Sequence, residues 1–544
     1  GGDRYSHAVQ RIQEVRQLRS IQFPEDSGPM SHPVRPSSYL EINNFYTATV
    51  YEKGAELVRM INTLLGQDKF RLGMDLYFER HDGEAVTIEE FLNAMKDAAE
   101  IDLSHFKPWY EQAGTPNLEV KTNYDSVKQT LTATFKQRPP RGQSNETYKT
   151  RLIPIKFGLL DLNGNNVLSN EHGTVNNEQS VLINLEEEER TVEFHKIKSE
   201  VIPSILREFS APVKLQYDYN SEQLAHLAQY DTDSFNRWDA FQELLKNTII
   251  DMVNKISTGK EKTLDQNLAD IFRSILVNSS DDPALAAEMM VLPSASYIAE
   301  QTERFDAEFI FLARTQLRNC IATEMKNQLE AIFLDLSNDS EDVNPEFAGR
   351  RALKNCCLGY LLELQNPETF NLCLDQLQNS SNMTDEIAAL SGLANFDCPQ
   401  RIVALDFFYN KWINEELVLD KWFVSQALSR LPGTLSAVKS LLGHKSFNFK
   451  NPNKVRSLIG AFCHGNHHLF HLPDGSGYSF CAEQVIKLDA INPQIAARLA
   501  RAFDSWRRID GASQKLAGNA LKTIKNTRGL STDTFEIVSR ALEN

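Results

Sequence analysis

Residues 114–124, which read Gly-Thr-Pro-Asn-Leu-Glu-Val-Lys-Thr-Asn-Tyr, decide how this chain is organised. Gly114-Thr115-Pro116 interrupts the helical pattern that precedes it, because glycine and proline both break regular helices. From Leu118 to Tyr124 the sequence has a period of two, in which Leu, Val, Thr and Tyr alternate with mostly polar residues. Such an alternation is typical of a half-buried β-strand, so the chain is predicted to change here from helix to sheet.

The residues before this stretch are predicted to be mostly helical. A stripe of apolar side chains at 57–65 has helical spacing and stops at Gly66, which is a plausible C-cap. Thr87-Ile88-Glu89-Glu90 matches a capping box, the Thr and Glu pairing that begins helices. An amphipathic stripe at 9–18 begins almost at the first residue, which is Gly1 and not Met. A helix this early, without a leader, indicates a piece cut from a longer protein.

The residues after it are predicted to form a small β-sandwich and then a large helical domain. Further strands are predicted at 131–135 and 152–160, and the second ends at the hairpin-turn sequence Asp161-Leu162-Asn163-Gly164. Several short strands at this spacing indicate a sandwich of about a hundred residues, which ends near 212–215. From about Ser221 onward the chain reads as helix after helix, broken at prolines and without a strict repeat.

The predicted fold class is therefore a multidomain α+β protein. Its 544 residues are enough for three or four domains at ~150 residues each. The predicted domains are a helical part at 1–114, the β-sandwich at 115–217 and an α-superhelix of stacked helical hairpins at 218–544.

Composition and charge narrow the classes of function. Lys+Arg is 57 and Asp+Glu is 73, which gives a net charge of −16, and an acidic chain argues against binding to a nucleic-acid backbone. No apolar run approaches the ~18 residues that a membrane helix needs, and no signal peptide is recognised. The seven cysteines are an odd number, and Cys356 and Cys357 are adjacent, which favours reduced thiols in the cytoplasm.

Motifs for metal binding and catalysis are incomplete. The zincin motif His-Glu-x-x-His occurs nowhere. The histidines at 464–471 have ligand-like spacing, but the glycine, asparagine and proline around them favour a turn-rich polar loop over a zinc site. The sequence from Asp161 resembles the start of a calcium loop, but it has Asn166 where Gly is needed and His172 where Glu is needed. These motifs alone give no complete catalytic constellation.

Three neighbouring segments, unlike the motifs above, resemble a known protein family. They are 30–36 (Met-Ser-His-Pro-Val-Arg-Pro), 41–46 (Glu-Ile-Asn-Asn-Phe-Tyr) and 49–56 (Thr-Val-Tyr-Glu-Lys-Gly-Ala-Glu). They closely resemble the aminopeptidase N family, the zinc-dependent alanyl aminopeptidases of the gluzincin class, in its bacterial cytoplasmic branch. Further matches are spread over the whole chain, for example at 237–240, 282–288 and 451–462.

The resemblance implies a fold and a missing part. Residues 1–114 would be the helical tail of a thermolysin-like catalytic domain, followed by the β-sandwich and the helical domain. The family's His-Glu-x-x-His motif, its third zinc ligand and its Gly-x-Met-Glu-Asn loop would lie upstream of residue 1. The chain is therefore expected to be a truncated, C-terminal part of the enzyme. The parent protein would hold zinc, and this chain would bind none itself.

The resemblance also implies roles for four residues. Tyr51, in Tyr-Glu-Lys-Gly, would donate its hydroxyl to the oxyanion of the tetrahedral intermediate; on the residues alone it would be a core aromatic before a helix. Tyr46 would line the same pocket, with structural packing as the alternative. Arg456 and Arg498 would face the active-site channel and hold the carboxylate end of a short peptide. Their alternative is a solvated or salt-bridged arginine.

Two functions from different classes follow. The first is a zinc metallo-aminopeptidase, a hydrolase of peptide catabolism, in which a zinc-activated water, helped by a Glu base, attacks the scissile carbonyl. Its partners would be peptide substrates, with no nucleic acid and no membrane, and it would act as a monomer in the cytoplasm. The isolated chain is expected to be inactive. The second is a non-catalytic helical scaffold that binds other proteins.

Overall fold

The computed structural model of the protein describes residues 6–39, 41–140, 143, 147–169, 179–257, 265–337 and 347–543. Within them the chain divides into two compact units. One unit is Gln10–Phe241, and the other is the chain from Gln242 onward together with the residues before Gln10. The first unit contains helices and β-sheets, whereas the second is built from helices.

The chain begins with helices. They are α1 (His7–Gln17), α2 (Phe23–Ser27), α3 (Gly54–Leu65), α4 (Gln67–His81), α5 (Ile88–Ala99) and α6 (Pro108–Glu111). Five-residue π-helical turns, Leu18–Gln22 and Thr49–Lys53, lead directly into α2 and α3, and 3₁₀ turns cover Ile42–Phe45 and Ser104–Phe106. The helices predicted from the stripes at 9–18 and 57–65 are confirmed.

The predicted ends of two helices are confirmed in detail. At the start of α5, the Thr87 N–H donates to Glu90 Oε2 over 2.8 Å, and the Glu89 N–H donates to Thr87 Oγ1 over 3.3 Å. At the end of α3, Gly66 has a φ of +77°, and its N–H donates to Asn62 O over 2.9 Å. Glycine adopts this conformation without strain because it has no Cβ.

Within the described residues the strands form two sheets. The strands are β1 (Asn117–Asp125), β2 (Thr130–Arg138), β3 (Ile153–Asp161), β4 (Val181–Leu185), β5 (Glu189–Phe194), β6 (Val201–Ile205) and β7 (Lys214–Gln216). One sheet has the order β5-β2-β1-β7 and the other has the order β4-β3-β6. Neighbouring strands are antiparallel, except that β7 runs parallel to β1. The strands predicted from residue 118 onward are confirmed.

Aromatic side chains join the two sheets. Phe157 on β3 lies edge-on to Phe135 on β2, with 5.5 Å between ring centroids, and stacks on Phe194 of β5 at 5.3 Å. The same hydrophobic core continues to Trp109, in the helices that precede the sheets. The indole N–H of Trp109 donates to Leu152 O over 2.8 Å. The first helices and the sandwich therefore share one core.

The centre of β3 has no room for a side chain at Gly158. A Cβ built there would lie 2.3 Å from Arg207 Cζ, and the Arg207 side chain is fully buried. We expect Gly158→Ala to lower the free energy of unfolding by about 1–3 kcal/mol, because a packed core resists added atoms. Urea unfolding of the chain measures this. The matched control is Gly433→Ala, where φ is −78° and nothing lies within 4 Å of the new Cβ; equal effects would contradict the prediction.

The helices after the sheets are α7 (Ser221–Tyr230), α8 (Ser234–Ile256), α9 (Gln266–Val277), α10 (Pro283–Met290), α11 (Ala295–Glu300), α12 (Ala307–Glu324), α13 (Lys326–Ser337), α14 (Ala348–Leu361), α15 (Pro367–Asn379), α16 (Met383–Leu393), α17 (Pro399–Lys411), α18 (Glu416–Ala427), α19 (Thr434–Leu441), α20 (Pro452–Val455), α21 (His467–Phe470), α22 (Ser476–Asp489), α23 (Pro493–Ala500), α24 (Gly511–Lys525) and α25 (Thr532–Glu543). A π-helical segment, Arg456–Gly465, follows α20.

These helices stack as hairpins. Neighbouring helices pack in pairs, such as α15 with α16 and α22 with α23, and the pairs pack on one another through α14, α16 and α18. This arrangement is typical of helical repeat domains. The predicted multidomain α+β class, with a β-sandwich and a large helical domain, is therefore confirmed. Among the described helices, none combines the length and the apolar composition that crossing a membrane requires.

One prediction for the helical domain is wrong. Residues 463–471 were expected to be a turn-rich loop, but they continue the π-helical segment and then form α21. Gly465 is not a turn residue, because a Cβ there would lie 2.5 Å from Leu428 Cδ2, so the glycine permits close packing. Asn466 begins α21 by accepting a hydrogen bond from the Leu469 N–H over 3.3 Å. Tertiary packing and capping therefore replace the turn that Gly-Asn predicts.

Candidate functional site

Tyr51 lies in the π-helical turn Thr49–Lys53 that leads into α3. Its side chain is 59% exposed, and its hydroxyl has no hydrogen-bond partner among the described residues. The backbone is held, because the Tyr51 N–H donates to Thr47 O over 3.1 Å and the Gly54 N–H donates to Tyr51 O. The described residues therefore do not bury Tyr51 in a core.

Tyr46 lies beside Tyr51. Their rings are stacked, with centroids 6.4 Å apart and planes inclined by 25°. Tyr46 is 56% exposed and lies edge-on to Phe45 at 6.0 Å, and Phe45 in turn contacts Tyr39 at 6.1 Å. The structure thus brings together the two tyrosines that the sequence singles out and adds two rings to them.

The other face of the Tyr51 turn is buried in a polar network. The Thr49 N–H and the Thr49 hydroxyl both donate to Glu25 Oε1 over 2.7 Å. Lys53 Nζ donates to Asp26 Oδ2 over 2.7 Å and to Gly114 O over 3.1 Å. The side chains of Lys53 and Asp26 are 1% and 0% exposed, so this ion pair is fully buried. The turn is therefore held at both of its ends.

Asp26 is kept ionised by its donors. Its Oδ1 accepts from the Gly114 N–H over 2.8 Å, and its Oδ2 accepts from the Thr115 hydroxyl over 2.9 Å as well as from Lys53. Burial by itself would raise the pKa of the Asp26 carboxyl. The charge and hydrogen bond of Lys53, with the Gly114 and Thr115 donors, outweigh burial and lower this pKa below its ordinary value. Asp26 is therefore a carboxylate at neutral pH.

Arg151 connects this network to the sandwich. Its Nη1 donates to Gly114 O over 3.0 Å, and its guanidinium carbon lies 4.9 Å from the centroid of the Trp109 ring. Gly114 O therefore accepts from both Lys53 and Arg151. Gly114 itself has a φ of +86°, and a Cβ there would lie 2.5 Å from Pro140 Cγ, so this junction requires glycine.

A second buried ion pair holds the start of α3. Arg11 Nη1 and Nη2 donate to the two carboxylate oxygens of Glu56, each over 2.6 Å, and the side chains are 2% and 8% exposed. Arg11 also donates to Glu208 O over 2.8 Å and to Phe209 O over 3.0 Å. The helix that follows Tyr51 is thereby tied to the end of the sandwich.

Sequence reasoning finds Tyr51 and misses the residues beneath it. Lys53 is visible in Tyr-Glu-Lys-Gly, but its partner Asp26 lies 27 residues earlier in the chain. Arg151 lies in a different predicted domain. One signal was available: Lys53 immediately precedes α3, where the positive end of the helix dipole disfavours a cation, and this indicates an anionic partner.

The two candidate arginines lie in the other unit. Arg456, in the π-helical segment, is exposed, and its side chain donates to Asn453 Oδ1 over 2.5 Å and to Pro452 O over 3.3 Å. Arg498, on α23, is also exposed. Neither arginine forms an ion pair with another residue in the described ranges. The salt-bridged alternative is thereby excluded for this part of the chain, and the solvated alternative stays open.

The histidines at 464–471 are engaged in packing. His468 stacks on Phe311, with ring centroids 4.1 Å apart and planes inclined by 5°. Burial, assisted by the charge of Arg314, lowers the pKa of His467 to about 4. Among the described residues, no group of three or more His, Cys, Asp or Glu side chains is arranged to hold a metal ion. The described residues therefore do not fit the zinc that the resemblance implies for the parent protein.

Comparison with known families covers almost the whole chain. Residues 221–543 match the domain of unknown function DUF3458_C, described as ARM repeats, and residues 114–218 match the domain of unknown function DUF3458, described as an Ig-like fold. Residues 3–110 match the peptidase family M1 domain. The chain therefore belongs to the family of proteins with a DUF3458_C domain, which here follows the Ig-like and peptidase M1 segments.

Comparison with individual proteins gives more specific matches than the family models do. The chain is 40% identical to aminopeptidase N of Escherichia coli K12 over 537 residues, which covers 99% of this chain and 61% of that protein. It is 38% identical to aminopeptidase N of Haemophilus influenzae over 544 residues, which covers 99% of this chain and 62% of that protein. The chain is thus similar to aminopeptidase N along almost its whole length, and it spans less than two thirds of the length of these relatives.

A solved structure agrees with this relationship. The crystal structure of Legionella pneumophila aminopeptidase A in complex with aspartic acid superimposes with a TM-score of 0.84 at 30% sequence identity. The match covers 94% of this chain and 58% of that chain. The fold described above is therefore the fold of the corresponding part of an aminopeptidase.

Proposed function

We propose that this chain works as part of a zinc-dependent aminopeptidase that releases N-terminal amino acids from peptides. The observation that carries the proposal is the Tyr51 hydroxyl, which is exposed on a turn whose other face is fixed by a buried ion pair. The peptidase family M1 match at 3–110 includes this turn, and the relatives at about 40% identity are named aminopeptidases. An exposed donor on a fixed backbone is the arrangement that a developing substrate charge requires.

Tyr51 would act on the transition state. When the scissile carbonyl is attacked, its oxygen becomes an oxyanion, and the Tyr51 hydroxyl donates a hydrogen bond to it. Because the turn is already held at both ends, the donor needs little reorganisation as the charge develops.

Tyr46 and the two arginines are the proposed substrate contacts. Tyr46 is stacked on Tyr51 and would line the same pocket. Arg456 and Arg498 are exposed cations that could bind the carboxylate end of a short peptide. The substrates would therefore be peptides. Within the described residues none of the seven cysteines forms a disulfide, which supports a reducing compartment, and we propose a cytoplasmic monomer.

A non-catalytic helical scaffold is the competing proposal. A scaffold needs rigid helices, and it does not need a hydroxyl donor whose backbone is fixed by a buried ion pair. The geometry around Tyr51 therefore favours the enzyme. Hydrolysis of aminoacyl amides by the full-length protein, compared with its Tyr51→Phe variant, separates the two proposals.

The 544-residue chain by itself is expected to bind no stoichiometric zinc and to release no N-terminal residues from peptides. The reason is that the described residues offer no group of three or more metal-ligand side chains, whereas a catalytic zinc needs about three. Elemental analysis of the purified chain and an aminopeptidase assay measure both properties. One tightly held zinc per chain would contradict the prediction. A longer chain that adds the upstream part of the catalytic domain is expected to gain zinc and activity together.

A further inference from the structure

We propose that the buried Lys53–Asp26 ion pair positions the Tyr51 hydroxyl for oxyanion binding. This inference rests on the proposed function and extends it, because it assigns to Lys53 and Asp26 an effect on rate as well as on folding. Both side chains are buried, at 1% and 0% exposure, so neither can reach substrate. They are therefore positioning residues that act through Tyr51.

The two faces of the turn Thr49–Lys53 differ sharply. Tyr51 is 59% exposed, whereas Thr49 and Lys53, two positions before and after it, are buried. Only two peptide units separate Tyr51 from each of these buried residues. A displacement of either residue would therefore also move Tyr51. Short π-helical segments of this kind are uncommon and are frequently found at functional sites.

The ion pair fixes the end of the turn in both distance and direction. Lys53 Nζ lies 2.7 Å from Asp26 Oδ2 and 3.1 Å from Gly114 O. Asp26 Oδ1 accepts from the Gly114 N–H over 2.8 Å, so Lys53, Asp26 and the Gly114 residue close a ring of hydrogen bonds. Arg151, which belongs to the sandwich, donates to the same Gly114 carbonyl over 3.0 Å. Each member of the ring therefore has its place determined by at least two others.

Stability alone does not require a charged pair at this place. A buried ion pair can often be replaced by well-packed apolar residues at no cost in stability, because both charges lose their hydration when they are buried. What an ion pair adds is directed contacts of fixed length. Direction matters for a catalytic donor, since a misplacement of about 1 Å can cost ~10²-fold in rate.

A paired replacement tests this role in the full-length enzyme. Asp26→Leu combined with Lys53→Met removes both charges, so that neither charge is left buried alone. We expect a lower melting temperature, because the Gly114 N–H and the Thr115 hydroxyl lose their acceptor. We also expect a fall in kcat of at least about 10-fold and a KM within about twofold of wild type, measured below the melting temperature. A kcat equal to that of the wild type would overturn the inference.

Lys354 and Asp385 provide the matched control. Their side chains are 12% and 5% exposed, and Lys354 Nζ lies 2.5 Å from Asp385 Oδ2, but they belong to α14 and α16 of the helical unit. Lys354→Met with Asp385→Leu removes a Lys–Asp pair that is mostly buried. We expect it to change the melting temperature by a comparable amount and to leave kcat unchanged.

A double-mutant cycle that combines the paired replacement with Tyr51→Phe tests this inference separately from the proposed function. If the ion pair acts through Tyr51, the paired replacement lowers kcat in the wild-type background and adds little further loss in the Tyr51→Phe background. An equal loss in both backgrounds would overturn the inference while leaving the role of Tyr51 intact. If Tyr51→Phe alone leaves kcat unchanged, the proposed function fails, and the inference fails with it.

Amide exchange in the 544-residue chain gives a readout that needs no activity. We expect the N–H groups of Tyr51 and Gly54, which hydrogen-bond to Thr47 O and Tyr51 O, to exchange faster in the paired replacement and not in the control pair. Unchanged exchange would contradict the inference. If the paired replacement does not fold, Asp26→Asn, which keeps the size of the side chain and removes its charge, is measured in the same cycle. We expect it to lower the melting temperature, because the Lys53 charge stays buried without its carboxylate, and to lower kcat in the wild-type background with little further loss in the Tyr51→Phe background.

Discussion

Replacing Tyr51 with Phe in the full-length enzyme is expected to lower kcat by ~10²–10³ and to leave KM and the melting temperature nearly unchanged. The substitution Tyr51→Phe removes one hydroxyl and keeps the ring, so the stack with Tyr46 is preserved. The hydroxyl has no partner among the described residues, so its removal breaks no hydrogen bond of the described fold.

The size of this effect follows from the role of the donor. Loss of one hydrogen bond to an oxyanion costs about 3–4 kcal/mol in the transition state, where the negative charge has developed. The ground-state carbonyl is neutral and gains much less from the same donor, so KM should change far less than kcat. A residue that serves only packing would show the opposite pattern.

Steady-state kinetics and thermal unfolding of the same Tyr51→Phe preparation separate these cases. A kcat within about threefold of wild type, well short of the ~10²-fold loss expected, would show that Tyr51 does not bind the oxyanion. Tyr46→Phe is the matched control, because Tyr46 is 56% exposed and stacked on Tyr51 but is proposed only to line the pocket. We expect its effect on kcat to be much the smaller of the two.

The order of helix, sheet and helix is readable from the sequence because the signals that set it are local. The capping box at Thr87 and the positive φ at Gly66 depend on residues within one helical turn. The alternation that begins at Leu118 depends only on which face of one strand is buried. These features depend little on distant residues. The predicted boundaries between helix and strand are therefore close to the observed ones.

The segment at 463–471 shows where local reading fails. Gly465-Asn466 is typical of a turn, but both residues are used for other purposes here. Gly465 makes room for Leu428, which lies 37 residues earlier, and Asn466 caps α21 while its amide donates to Ala427 O over 3.0 Å. Contacts at such sequence distances cannot be read from a pattern of neighbouring residues.

The candidate site contains residues that a local sequence pattern reveals and residues that only the fold brings together. Tyr51 is found through a short motif, and Tyr46 through its nearness to that motif. Asp26, Gly114 and Arg151, which hold the turn in place, come from three separate parts of the chain, and only the fold brings them together. The chemistry of the site is therefore visible in the sequence, whereas its support becomes visible only in the structure.

The second large effect is expected at Asp231, where Asp231→Ala should lower the free energy of unfolding by about 3–5 kcal/mol. Arg207 Nη2 donates to Asp231 Oδ1 over 2.9 Å, and both side chains are 0% exposed. Asp231 Oδ2 also accepts from the Ser204 hydroxyl over 2.5 Å. Removing the carboxylate takes the Asp231 charge away from the buried Arg207 guanidinium, and this loss of a buried, oppositely charged partner is the reason for the expected size of the effect.

An exposed pair on the same unit shows why burial sets this magnitude. Arg71 and Asp75 lie one turn apart on α4, and their side chains are 74% and 53% exposed. Asp75→Ala should change stability by only about 0.3–0.5 kcal/mol, because water and salt already screen the pair and solvate Arg71 once it is alone. Urea unfolding of both variants at low and high salt measures the contrast. Equal losses in the two variants would mean that Arg207 gains hydration when Asp231 is removed. The stability of the sandwich would then depend on its apolar core and not on this buried charge.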